Sequence, residues 1–222
     1  MLACKFPVRQ WLTTFYKSIN VAFSVRKAPR RVAFSGHAPS TERSVNMRYN
    51  RYICTGPPGG GKTSVLNELR ADFVVVSEPA RRVLSIERET GGTGTGDQNP
   101  ARFVSLMLNM SLSDLENVSS AESSVLFDRS VPDLLAFAAF YNLPTEPILR
   151  AMSAVQFHPN VFWFPAWEEI YETDEERTMS FYEARAFGDL IREAYLEAGY
   201  NLIEMPLTGI RERADFIQDA IG

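Results

Sequence analysis

The sequence predicts an α/β fold, a mostly parallel five-stranded sheet with helices on both faces, and two observations carry that prediction. From Tyr52 to the C-terminus, short apolar runs alternate with stretches of helical spacing. The first run leads straight into Gly56-Pro57-Pro58-Gly59-Gly60-Gly61-Lys62-Thr63, which has the spacing G-x-x-x-x-G-K-[ST]. A strand before this spacing and a helix after it are the context in which it forms a phosphate-binding loop, the Walker A or P-loop motif. A Gly-Pro-rich turn that matches by accident would lack that context.

Each residue of the loop has a physical job. Gly56, Gly59, Gly60 and Gly61 lack Cβ atoms, so the backbone can turn its N–H groups inward towards an anion. Lys62 supplies a compact cation for the β- and γ-phosphates, and the Thr63 hydroxyl is the expected Mg²⁺ ligand. Ser64 opens a helix through Leu69 whose positive end favours the same anion. Gly56, Gly59, Gly60, Gly61, Lys62, Thr63 and Ser64 are therefore the expected nucleotide-binding set, with ATP and Mg²⁺ as cofactors. No N/T-K-x-D stretch that would read guanine occurs, so adenine is the expected base.

The remaining elements follow in order. Residues 73–76 are a β-branched run fit for a buried parallel strand, and Pro79 suits the first turn of a helix through about Glu89. Residues 91–99 are rich in glycine but lack dinucleotide-fingerprint spacing, and they read as a mobile loop ended by Pro100. Further helices are expected at 101–117, 131–141, 148–155, 179–198 and 210–221, and further strands at 124–128, 160–164 and 201–205. Gly199 is the expected C-terminal cap of the helix before it. The result is a P-loop NTPase three-layer sandwich formed by one domain, residues 47–222.

Residues 1–46 differ in kind. Residues 1–51 hold ten of the 23 Lys and Arg residues and a single acid, Glu42, leaving 13 basic and 26 acidic residues beyond them. So acidic a body disfavours a nucleic acid polymer as partner. The basic extension, with Trp11, Phe15, Ile19 and Phe23 at helical spacing, reads three ways. It is a targeting segment, a chain start placed too early with Met47 as the true start, or a basic arm. The compartment is accordingly cytoplasmic, or the mitochondrion or another organelle if the extension is a transit peptide. No apolar stretch reaches the length of a transmembrane segment. Cys4 and Cys54, with His37 and His158, make neither a disulfide framework nor a metal pattern.

Three charged positions are candidates for chemistry. Glu78 follows the second strand on the edge of the sheet that carries the loop, where a carboxylate can take a proton from an attacking hydroxyl. The alternative is an N-terminal capping acid for the helix that Pro79 begins. Asp128 ends an apolar strand and can hold Mg²⁺ beside Thr63, while Arg129 can reach a phosphate with its planar fork. The alternative for that pair is an Asp128–Arg129 contact that caps the next helix. Arg177 lies in an acidic stretch, which is either a solvated face or a closing segment whose arginine offsets charge on the γ-phosphate. Arg185, Arg211 and Arg213 are weaker candidates for that role.

The stretches Thr55-Gly56-Pro57-Pro58-Gly59-Gly60-Gly61-Lys62-Thr63, Ser77-Glu78-Pro79-Ala80-Arg81 and Phe127-Asp128-Arg129-Ser130, with Pro132-Asp133, resemble the NadR-like AAA/P-loop ATPase family. Phe164-Pro165-Ala166-Trp167, Asp174-Glu175-Glu176-Arg177 and the end at Glu212-Arg213 are similar to it too, so the resemblance covers about residues 50–221. It implies a kinase-like P-loop fold related to the nicotinamide riboside kinase domain of NadR, and ATP binding. The Glu78 and Asp128-Arg129-Ser130 pair is also similar to deoxynucleoside kinases, where the glutamate after the second strand is the general base. The strand-end motif begins there with Glu and here with Asp128.

The expected function is an ATP-dependent kinase acting on a small hydroxylated, nucleoside-like acceptor, with Lys62, Glu78, Arg129 and Arg177 as catalytic residues and Thr63 and Asp128 on the metal. The alternative is an ATPase or nucleotide-dependent switch without an acceptor. An AAA+ motor is disfavoured, because the chain is too short for an added helical lid domain and Asp128-Arg129 is not a two-acid strand end.

Overall fold

The computed structural model describes residues 50–173 and 179–222, all within the unit Asn46–Gly222. The N-terminal extension and Arg177 lie outside the described residues. Five strands form one sheet in the order β2-β3-β1-β4-β5, and all four pairings are parallel. They are β1 (Arg51–Thr55), β2 (Val74–Val76), β3 (Val125–Asp128), β4 (Asn160–Trp163) and β5 (Asn201–Glu204). The register aligns Cys54 with Asp128 and with Phe162, and Trp163 with Glu204, so the carboxyl ends of the strands share one edge.

The helices are α1 (Lys62–Glu68), α2 (Pro79–Thr90), α3 (Pro100–Asn117), α4 (Asp133–Phe140), α5 (Glu146–Ala154), α6 (Phe181–Glu197) and α7 (Ile210–Ile221). Strand side chains alternate between two faces, and the core divides accordingly. On one face Ile53, Phe127, Val161 and Trp163 pack with residues of α2 to α6, including Val83, Met107, Leu134 and Ile191. On the other, Cys54, Leu126 and Phe162 pack with Val65 and Leu66 of α1 and Ala214 and Ile217 of α7. The three-layer sandwich is thus present, and Cys54 is a buried free thiol within it. Every expected element forms, with ends within two residues of expectation. The shifts have local causes: Pro132 takes the N-cap of α4, and a Ser180–Glu183 capping box starts α6 at Phe181.

The 91–99 loop corrects one expectation. Instead of standing apart it packs over Glu87, which is 4% exposed. The Gly92 N–H donates to the Glu87 backbone carbonyl at 2.7 Å, the Gly94 N–H to the Glu87 carboxylate at 2.5 Å, and Arg102 binds that carboxylate from α3. The Tyr141 hydroxyl occupies the space where a side chain on Gly96 would sit. The glycines here make room for neighbours.

Candidate active site

The loop leaves β1 at Gly56, whose φ of +138° and approach to the Phe164 carbonyl leave no space for a Cβ, which would stand 2.0 Å from that oxygen. It re-enters regular structure at Lys62, the first residue of α1. The Lys62 ammonium donates to the carbonyls of Pro57 at 2.7 Å and Gly56 at 3.2 Å and is 6% exposed. Burial and the neighbouring Arg129 pull its pKa down, the acids Asp128, Glu78 and Asp133 pull it up, and it settles at about 8.

Thr63 and Asp128 meet across the sheet edge, the threonine hydroxyl donating to Oδ2 at 2.7 Å. Asp128 is 2% exposed, and its Oδ1 is buried with no hydrogen-bond partner among the described residues. Burial and the charge on Glu78 raise its pKa to about 6 against the lowering effects of Lys62, the Thr63 hydrogen bond and Arg129. Two hard oxygen donors, one orphaned, fit Mg²⁺, which takes its remaining ligands from phosphates and water. No cluster of three acidic, histidine or cysteine side chains exists among the described residues to form an all-protein cage.

The raised pKa has a testable consequence. The charged form of Asp128 is disfavoured in the folded, metal-free protein, so it costs stability above pH 6 and nothing below pH 4, where both states are protonated. Asp128→Asn, with metal chelated, is expected to raise stability by roughly 1–3 kcal/mol at pH 8. In urea titrations the gain fades as pH falls through 6 while metal-dependent nucleotide binding is lost.

Glu78 occupies the N-cap position of α2, but its side chain makes no capping hydrogen bond. Its carboxylate instead accepts from Arg129 Nε at 2.9 Å and Arg81 Nε at 3.3 Å. Burial pushes the Glu78 carboxyl up, but Arg129, Lys62 and Arg81 outweigh it and hold the group below its usual range. Arg129 is 4% exposed and sits at φ +66°, a left-handed conformation that a non-glycine residue holds only when its surroundings fix it. The fixing groups are Glu78 and Asp133, whose Oδ1 accepts from Arg129 Nη1 at 2.9 Å. Although burial alone would lower it, the acids Glu78, Asp133 and Asp128 keep this guanidinium firmly charged.

Asp133 is the hub. Its two oxygens also accept from the Thr55 hydroxyl at 2.5 Å, the Ser130 N–H at 3.0 Å and the Tyr195 hydroxyl at 2.5 Å. One buried carboxylate therefore ties the ends of β1 and β3 to α4 and α6. Lys62, Thr63, Glu78, Asp128 and Arg129 share this edge, and Thr63, Glu78 and Asp128 line a common cavity of about 70 Å³ with Arg70, Ser77 and Arg81. Arg129 turns to the two acids and does not pair with Asp128, which bonds to Thr63. Ser64 is exposed at the start of α1, and Arg185 and Arg211 are exposed on their helices. Sequence reasoning gave Asp133 and Tyr195 no role. The available signal was a lone acid opening the apolar run Leu134-Leu135-Ala136-Phe137.

A parallel sheet of this order, with the Walker A loop at the carboxyl end of its central strand, defines a P-loop NTPase of kinase-like form. A family model described as AAA domain matches residues 51–213, and the chain belongs to that family. Among solved structures, the fold is similar to deoxyadenosine kinase from M. mycoides, solved with the products dCMP and a flexible dCDP. The identity is 12%, the TM-score 0.55, and the match covers 77% of this chain and 98% of that one. The same enzyme with bound dATP matches at 11% identity, TM-score 0.55, over 77% and 98%. The NadR protein in complex with NR matches at 17% identity and TM-score 0.57, over 79% of this chain and 51% of that one, so this chain spans about half of NadR. At these identities the likeness is one of fold alone. None of the curated proteins matches the chain.

Proposed function

We propose that this protein is an ATP-dependent kinase that transfers a phosphoryl group to a small hydroxylated, nucleoside-like metabolite. The observation that carries the reading is a carboxylate, Glu78, aligned by Arg129 and opening onto the same cavity as the Thr63–Asp128 pair. The kinase folds it resembles, deoxyadenosine kinase and NadR with NR, support the same reading.

In this reading the N–H groups of residues 59–64 and Lys62 hold the ATP phosphates. The acceptor oxygen forms a bond to the γ-phosphorus, the bond to the β–γ bridging oxygen breaks, and ADP leaves. Glu78 takes the hydroxyl proton, and Arg129 keeps that carboxylate ionised and aimed. Mg²⁺, when held by Thr63 and Asp128, supplies neutralisation of phosphate charge. Arg177 is proposed to add positive charge at the γ-phosphate.

The test is ADP release by the full chain with Mg²⁺ and ATP, against a panel of nucleosides and pyridine ribosides, with Lys62→Ala as the blank. One acceptor is expected to raise ADP release well above the unstimulated rate. ATP binding that no acceptor stimulates would move the assignment to an ATPase or switch.

A further inference from the structure

Arg213, on the first turns of α7, is 3% exposed, yet it forms no ion pair among the described residues. Its Nη1 donates to the Gly60 carbonyl at 3.0 Å, and its Nε is buried without a hydrogen-bond partner there. The guanidinium lies against two aromatic rings, its carbon 5.2 Å from the Trp167 centroid and 5.9 Å from that of Phe164. A buried cation with no acid beside it among the described residues is costly, and an anion bound at the adjoining loop would supply compensating charge.

The geometry of the contact says what it does. In a trans peptide the carbonyl and the following N–H point in opposite directions. By holding the Gly60 carbonyl, Arg213 also fixes the direction of the Gly61 N–H, which points away from the guanidinium. Both terminal nitrogens also stand 2.9 Å from where a Cβ on Gly61 would lie, so the arginine occupies the space that residue 61 leaves empty. Gly61 itself has φ +78°, which suits glycine, and it is the N-cap of α1. The C-terminal helix thereby sets the shape of the anion nest 153 residues away in sequence.

We propose that Arg213 is a positioning residue for nucleotide binding: it orients the Gly60–Gly61 peptide and adds its charge to the field of Lys62. The inference rests on the nucleotide-phosphate part of the function proposed above and is independent of the acceptor.

The experiment is calorimetric titration of the full chain with MgADP, comparing wild type, Arg213→Met and Arg213→Lys, alongside urea unfolding of each. Arg213→Met keeps the packing stem but loses the charged hydrogen bond, and is expected to weaken MgADP binding by about 10- to 100-fold. Arg213→Lys keeps the charge but not the planar fork and should fall between the two. The KM for ATP should rise by a similar factor, because the lost interaction is made to the bound nucleotide. Variants that fold and bind MgADP as wild type does would overturn this inference alone, as would a loss confined to unfolding stability. A wild-type chain that binds no MgADP would overturn the nucleotide reading and this inference together.

Discussion

Asp133→Ala is expected to lower unfolding stability by about 3–5 kcal/mol, the range for removing one partner from a buried ion pair. Four donors converge on this carboxylate, from Thr55, Arg129, Ser130 and Tyr195, and it is 1% exposed. Without it the Arg129 guanidinium, itself 4% exposed, keeps Glu78 as its one ion-pair partner among the described residues, with the charge of Asp128 acting from further off. The left-handed backbone at Arg129 also loses a side-chain anchor, four residues along, that helps hold it in place. Two chemical denaturation curves, wild type and variant, check the figure. Asp133→Asn separates charge from packing, since it fills the same volume but presents an amide to the donors of Ser130 and Tyr195. A loss below 1 kcal/mol for Asp133→Ala would mean that the network is not what holds this edge together.

The second large effect concerns turnover. Glu78→Gln is expected to lower kcat by about 10²- to 10⁴-fold, the usual contribution of a positioned general base. ATP affinity should change little, because no loop residue bonds to Glu78; its partners are Arg129 and Arg81. The held-down pKa keeps the wild-type carboxylate ionised throughout the physiological range, so the defect should persist from pH 6 to pH 8. Single-turnover measurements at saturating ATP and acceptor would show it. A kcat within threefold of wild type would remove Glu78 from the chemistry and leave it as a structural partner of Arg129.

Much of the fold was legible because its signals are local. The run into Cys54 and Thr55, the glycine spacing to Lys62 and the strand ending at Asp128 each lie within a few residues, and each forms as read. What stayed hidden depends on partners far away in the chain. The bond from Thr55 to Asp133 spans 78 residues and that from Tyr195 spans 62, so neither hydroxyl announces the acid it serves. Arg129 read as a phosphate ligand because a sequence shows its donors but not Glu78, 51 residues upstream, which takes one of them. The 91–99 segment read as mobile because glycine permits motion as readily as close packing, and its anchor, Glu87, belongs to the preceding helix. The sequence leaves Glu78 as either a base or a capping acid; it sits at the N-cap of α2 without a side-chain cap bond, its carboxylate turned to Arg129 and Arg81.

The most direct test of the kinase assignment is the fate of the γ-phosphate. The full chain would be incubated with Mg²⁺, γ-labelled ATP and the acceptor that most stimulates ADP release, and the products separated. Label is expected covalently attached to the acceptor's hydroxyl oxygen, in step with ADP formed, and absent with Lys62→Ala. Label recovered only as inorganic phosphate, with every acceptor returned unchanged, would contradict it.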